Sequence, residues 1–144
     1  MSHQKVFVVD FGGQYTQLIV RRVRDLVVQG MSSGSNSPQS LQALATEVTS
    51  LRDTLIGDAN TNYLGRPVFG GTTASATAYS SSGTFQGDSV AVSRTINAGN
   101  SVRVDVNGRD VFGDDSTGSD VFTLLSTIAT NLQSGNATAL ASNL

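Results

Sequence analysis

Four groups of residues have types and spacings that could carry chemistry. Gly12-Gly13 and Gly70-Gly71-Thr72 could cradle a phosphate on backbone N–H groups. Neither has the spacing of a P-loop or a dinucleotide loop, and neither opens a helix in the required way, so both read as turns. Asp110, Asp114, Asp115 and Asp120 could collect around a calcium ion. Their spacing is not that of an EF-hand, and solvated loop carboxylates are the expectation. Arg21, Arg22 and Arg24 could meet a nucleic acid, but they share one helix turn with Asp25 and read as a solvated face. The chain has no Cys, which removes disulfides, thiolate metal sites and Cys nucleophiles. Its one His, His3, excludes His-based zinc sites and argues against a Ser-His-Asp triad. No catalytic residue, cofactor site or metal site is assigned among these residues.

Composition narrows the class. The 144 residues suffice for one ordinary domain with a sizeable core. Charged residues are only 14% of the chain, against about 25% in typical domains. Ser and Thr fill the gap, at 34 residues together. A net charge of −2 with a single Lys argues against non-specific nucleic-acid binding, which needs clustered cations to displace counterions. No apolar run reaches membrane-spanning length, and the apolar run Val6-Phe7-Val8-Val9 is cut by Asp10, so no membrane helix and no cleavable signal peptide are expected. Abundant Ser, Thr, Asn and Gly with little Lys is a composition associated with secreted surface and fibre proteins.

The elements follow from periodicity. Lys5 to Asp10 is a β-branched and aromatic run, the pattern of a strand buried on both faces, and Phe11-Gly12-Gly13 breaks it. A strand with no sheet cannot satisfy its own backbone, so the competing expectation is a leader that is disordered or extends the next helix. From Thr16, Ile19, Val23 and Leu26 recur at helical spacing, and Gly30 is a stop. Residues 31–37 read as a loop. Ser37 then reads as an N-cap and Pro38 as the first helical position. Leu41, Leu44, Val48, Leu51 and Leu55 form a heptad-like stripe that ends near Gly57 or Ala59, with Gln42, Thr46, Glu47, Thr49, Ser50 and Asp53 opposite. That stripe serves a core or a partner surface, and a fibre subunit uses one helical layer for both.

Beyond it, Gly70-Gly71 marks a sharp turn. Residues 72–88 are polar, with Tyr79 and Phe85 as the large anchors. The spacing predicts an antiparallel meander over residues 90–112. Val90, Val92, Arg94 and Ile96 share one face, and Asn97 to Asn100 turn. Val102, Val104 and Val106 point inward, Asn107-Gly108 forms a tight hairpin, and Arg109 to Phe112 return. A loop over residues 113–119 leads to a cap at Ser119 or Asp120. The last helix carries Val121, Leu124, Leu125, Ile128 and Leu132, Gly135 ends it, and residues 136–140 begin a further turn. The expected fold class is α+β: a long helical hairpin or three-helix bundle with a small antiparallel β domain inserted at its tip.

Two resemblances cover different parts of the chain. Residues 5–24 contain Val8-Val9-Asp10-Phe11-Gly12-Gly13-Gln14-Tyr15, Gln17-Leu18-Ile19 and Arg21-Arg22-Val23-Arg24. They resemble the start of GMP synthase, in its class I glutamine amidotransferase domain. The resemblance implies the first strand, loop and helix of a doubly wound sheet. That family's chemistry comes from a later Cys, His and Glu, and this chain has no Cys and no His after His3.

The rest of the chain carries Val23-Arg24-Asp25-Leu26-Val27-Val28-Gln29-Gly30, then Glu47-Val48, Leu51-Arg52 and Leu55. Next come Asn60-Thr61, Gly65-Arg66, Phe69, Gly71-Thr72, Val111-Phe112-Gly113 and Asp120-Val121-Phe122. Over residues 22–144 the chain resembles the flagellin superfamily, closest to the hook-associated proteins of the hook–filament junction. The resemblance implies a structural subunit fragment of the bacterial flagellum, extracellular and exported without a cleavable signal peptide. Its expected partners are hook-associated proteins and flagellin, or further copies of itself, with no nucleic acid and no membrane. It further implies a leader over 1–21, a helical rod over 22–66 and 118–144, and a β insert over 67–117. Subunit packing would use Val23, Leu26, Leu41, Leu44, Val48, Leu51, Leu55, Leu125, Ile128 and Leu132. The family's helices extend beyond both ends of this pattern, which implies a joint between the two segments within residues 18–24 and a chain that does not polymerise by itself. The alternatives are a fragment of a glutamine-hydrolysing GMP synthase and an adhesive or tail-fibre binding module.

Overall fold

A computed structural model describes the backbone of residues 3–32 and 36–142, with side chains from Gln17 onward. The loop expected over residues 31–37 therefore lies partly outside the described residues, as do the side chains of the apolar run near the N-terminus. The architecture is α+β, with five α-helices and two small antiparallel sheets among the described residues. The chain divides into two compact units, Met1–Leu51 with Thr127–Leu144, and Arg52–Ser126.

The first unit is helical. Helix α1 runs from His3 to Met31, so the strand expected at Lys5 to Asp10 does not form. The physical reason is hydrogen bonding. A lone strand leaves its N–H and C=O groups unpaired, whereas a helix pairs them within the segment. Ile19, Val23, Leu26 and Val27 are buried on one side of α1, while Arg21, Arg22 and Arg24 are exposed. The Asn36 amide donates at the C-terminal end of α1, where the carbonyls of Gln29, Gly30 and Ser32 all lie within 3.1 Å of its nitrogen.

Helix α2 spans Pro38–Ala59. The Ser37 hydroxyl accepts the Ser40 N–H at 3.1 Å, so the serine is an N-cap and Pro38 takes the first helical position. Ser37→Ala is expected to destabilise the unit by about 0.5–2 kcal/mol. Urea unfolding should show this as a lower midpoint with an unchanged slope.

Three helices converge at Gly30. A Cβ built there would overlap the end of Leu132 and come within 3.7 Å of Leu44. Partners between α1 and α2 run in opposite order, Arg22 with Glu47 at 2.6 Å and Gly30 with Leu44, as in antiparallel helices. The same holds between α2 and α4 (Val121–Gln133): Gln42 bonds Gln133 at 2.8 Å, and Leu41 lies against Gly135. Gly135 has a φ of +66° and ends α4, and Asn136 caps the short α5 (Ala137–Ala141) by accepting the Ala139 N–H. Leu140 is buried.

The second unit holds the sheets. Strands β1 (Asn62–Tyr63) and β2 (Arg66–Pro67) form a tight hairpin whose turn residues Leu64 and Gly65 have φ of +50° and +77°. Both central residues at positive φ are what a type I′ turn requires, and Gly65 supplies one without steric cost. Strands β3 (Ser93–Asn97) and β4 (Asn100–Arg103) pair antiparallel, with Arg94 opposite Val102 and a bulge between Thr95 and Asn97. Helix α3 (Gly108–Phe112) and a 3₁₀ turn (Asp115–Thr117) lead to α4.

Three expectations are corrected here. Asn107-Gly108 is not a hairpin turn, and Arg109 to Phe112 is a helix and not a returning strand. Asn107 has an extended backbone, and its side-chain oxygen accepts the Arg109 N–H, so it caps α3. The same dipeptide that favours a tight turn also caps a helix. Gly108 decides between them by lying against the Tyr79 ring, where a Cβ would stand 2.7 Å from the hydroxyl. Second, the valine-bearing face of the meander is not buried by this chain: every residue of β3 and β4 is exposed, as are Val90, Val104 and Val106. Third, Leu124 is 44% exposed, and Phe122, fully buried, takes the inward place at the start of α4. Asp120 is the cap, accepting the Thr123 N–H at 2.8 Å.

Candidate functional site

The segment Asn60 to Thr72 organises the second unit. The Asn60 side chain accepts the Tyr79 N–H at 2.8 Å and donates to the Tyr79 carbonyl at 2.9 Å, fixing that backbone as a strand neighbour would. Thr61 donates its hydroxyl to the Asp58 carbonyl, and its own carbonyl accepts the Val68 N–H. Phe69 meets Phe112 edge-on at 5.3 Å. Gly71 has a φ of +69° and lies against the Asp88 backbone, a place with no room for a side chain. Thr72 donates its N–H and hydroxyl to the Asp88 carboxylate at 2.9 and 2.8 Å.

Tyr79, held by Asn60, is the centre of an aromatic cluster. Its ring lies 5.2 Å from Phe85, 5.6 Å from Phe112 and 5.0 Å from Phe122. Such pairs contribute about 0.5–1.5 kcal/mol each beyond area burial. Burial pushes the Tyr79 hydroxyl well above the usual phenol range; Asp115 and Asp120 add to this and Arg109 opposes it. Arg52 ties the cluster from α2 by donating to the carbonyls of Phe122 and Ser82. Arg109 stacks 5.1 Å over Phe85 and bonds Asp115, whose other oxygen accepts the Phe85 N–H.

Of the acidic residues, Asp114 and Asp115 both flank Arg109, at 3.4 and 2.9 Å. Asp114 turns to the Ser116 N–H and hydroxyl, Asp115 to Arg109 and Phe85, and Asp120 to the start of α4. Among the described residues, no three His, Cys, Asp or Glu side chains stand where they could hold a metal ion. No described helix is long and apolar enough to cross a membrane.

Two carboxyls are held below their ordinary range by hydrogen bonds, Asp88 chiefly by Thr72 and Asp114 by Ser116. A depressed folded pKa stabilises the fold above the unfolded value and loses that contribution as pH falls through the folded value. The order around Thr72 is therefore expected to survive at neutral and mildly acid pH and to fail only below 3.8, the ordinary value for Asp88. Carboxyl-carbon NMR titration checks this. An Asp88 midpoint above the ordinary value contradicts it.

Of the residues expected to pack subunits, Val23, Leu26, Leu44, Val48, Ile128 and Leu132 are buried within the first unit, and Leu55 and Leu125 within the second. Leu41 and Leu51 are half-buried. Sequence reasoning missed Phe122 and Asp88. The Asn60-to-Thr72 segment, with turn glycines at Gly65 and Gly71, was the available signal for the latter's partner.

The fold defines a class: α+β, helices with two small antiparallel sheets among the described residues. The solved structure of FlgL from Bacillus cereus, a hook-associated protein, matches with a TM-score of 0.72 at 25% sequence identity, covering 90% of this chain and 61% of that one. The chain thus spans about three fifths of that relative's length. A stretch of 28 residues, 19% of the chain, is 79% identical to the glutamine-hydrolysing GMP synthase of Finegoldia magna, and covers 6% of that protein. No protein-family model matches the chain.

Proposed function

We propose that this chain is a structural segment of the bacterial flagellum, of the hook-associated or flagellin type, which assembles by helix packing and catalyses no reaction. The observation that carries the reading is the likeness to FlgL over nine tenths of the chain. The helical rod is assigned to residues 22–66 and 118–144, the β insert to 67–117, and the leader to 1–21. In this reading Val23, Leu26, Leu44, Val48, Leu55, Leu125, Ile128 and Leu132 form the rod's interior. Half-buried Leu41 and Leu51, with exposed Leu18, Val20 and Val28 on α1, face the neighbouring subunit. The partners are hook-associated proteins, flagellin or further copies, outside the cell.

The test is sedimentation of the purified chain alone and mixed with a hook-associated protein or flagellin from the same source. Complex formation that Leu18→Asp and Val28→Asp abolish, with unchanged circular dichroism, supports the proposal. Binding to glycans with no flagellar complex would favour an adhesive module. The 28-residue match to GMP synthase favours a second reading, a fragment of a glutamine-hydrolysing GMP synthase amidotransferase domain. Glutamine hydrolysis by the purified chain would sustain it, and the chain has no Cys to perform the attack.

A further inference from the structure

The β3–β4 ribbon is unusual in exposing both faces. One carries Arg94 and Val102, with Val92 and Val104 paired beyond the strand ends, and the other carries Ser93, Thr95, Ser101 and Arg103. A two-stranded ribbon without cover is at best marginally stable in water, so what holds it must lie at its root. The last rung between its legs is the Val104 N–H to the Val92 carbonyl, at 2.8 Å. Below that rung both legs are tied to one turn, residues 69–72. The incoming leg binds through Asp88, whose N–H donates to the Gly70 carbonyl at 3.1 Å. Its carboxylate accepts the Thr72 N–H and hydroxyl and the Val90 N–H. The outgoing leg binds through Asn107, whose amide donates to the Asp88 carbonyl at 3.0 Å, and through the Gly108 N–H to the Phe69 carbonyl. Asp88 is the residue on which both legs meet.

We propose that Asp88 and Asn107 form a latch at the root of the β3–β4 ribbon, so that the ribbon is a flap whose opening is set at the latch and not by the aromatic core. The inference does not rest on the flagellar reading. Each part of the latch has a geometric requirement. Gly71 allows the Asp88 backbone to approach, because any Cβ there would overlap it. Asn107 uses its oxygen to cap α3 and its nitrogen to hold Asp88, so one side chain couples the flap's outgoing leg to a packed helix.

Native-state hydrogen exchange at neutral pH tests this. In Asp88→Ala, amides of residues 90–104 should exchange about tenfold faster or more, the scale of one lost hydrogen bond to a charged group. Amides of residues 78–85 and 122–132 should keep their rates. Trypsin should cut faster at Arg94 in the same variant. Thr72→Val, which removes only the hydroxyl bond, should give a smaller change confined to the same residues, and it serves if Asp88→Ala does not fold. Unchanged ribbon amides in both variants overturn the latch. Equal acceleration in the ribbon and the core also overturns it, since Asp88 would then contribute only to the stability of the whole unit.

Discussion

Phe122→Ala is expected to destabilise the second unit by about 3–5 kcal/mol, near the whole stability of many small domains. Phe122 is fully buried at the first turn of α4, with its ring 5.0 Å from Tyr79 and 5.5 Å from Phe112. Truncation removes the apolar area and leaves a cavity between two rings held on other elements. Tyr79 is fixed by Asn60 and cannot follow inward, so little of the cavity closes. Urea unfolding measures the loss, and near-ultraviolet circular dichroism reports the loosened tyrosine. A change below about 1 kcal/mol would show that the cluster collapses around the gap.

The second large effect is in the first unit. Leu132→Ala is expected to cost about 2–5 kcal/mol, since Leu132 is fully buried and fills the space that Gly30 leaves open. That complementarity makes a sharper prediction. Gly30→Ala alone forces Leu132 aside, whereas in the Leu132→Ala background the new methyl enters the vacated volume and adds up to about 1 kcal/mol of helix propensity. The double variant should therefore be more stable than the sum of the single effects, by about 0.5–3 kcal/mol of coupling. Strict additivity in the mutant cycle would mean that the two residues do not share the space.

Local chemistry was the part of the fold that could be read directly. Ser37-Pro38 announces a helix start because an N-cap needs only the next three residues, and it stands there. The stripe from Leu41 to Leu55 sets a period, which hydropathy reports well. Phase is harder at a helix's first turn, where Phe122 and Leu124 both fit a four-and-three spacing and only the ring cluster selects Phe122. The run at Lys5 to Asp10 has strand propensity, but propensity yields to the lack of a partner strand. Alternation at Val102 and Val104 states that one face is apolar. It does not state what covers it, and this chain supplies no cover. Asp88 was invisible because a single acid in a polar stretch gains meaning only when a turn sixteen residues earlier is folded against it. Likewise the hydropathy of one chain shows which side chains avoid water, and not whether a sister molecule touches them.

The tyrosines have a practical consequence. The chain has three of them and no tryptophan, so its ultraviolet emission is theirs alone. Tyr79 is 1% exposed at the heart of the second unit, while Tyr63 is 72% exposed on a hairpin. A dissolved quencher reaches Tyr63 at once and Tyr79 only when the surrounding rings part. With Tyr15→Phe to silence the third emitter, the molecule thus carries its own optical gauge of that unit's integrity, with no label attached.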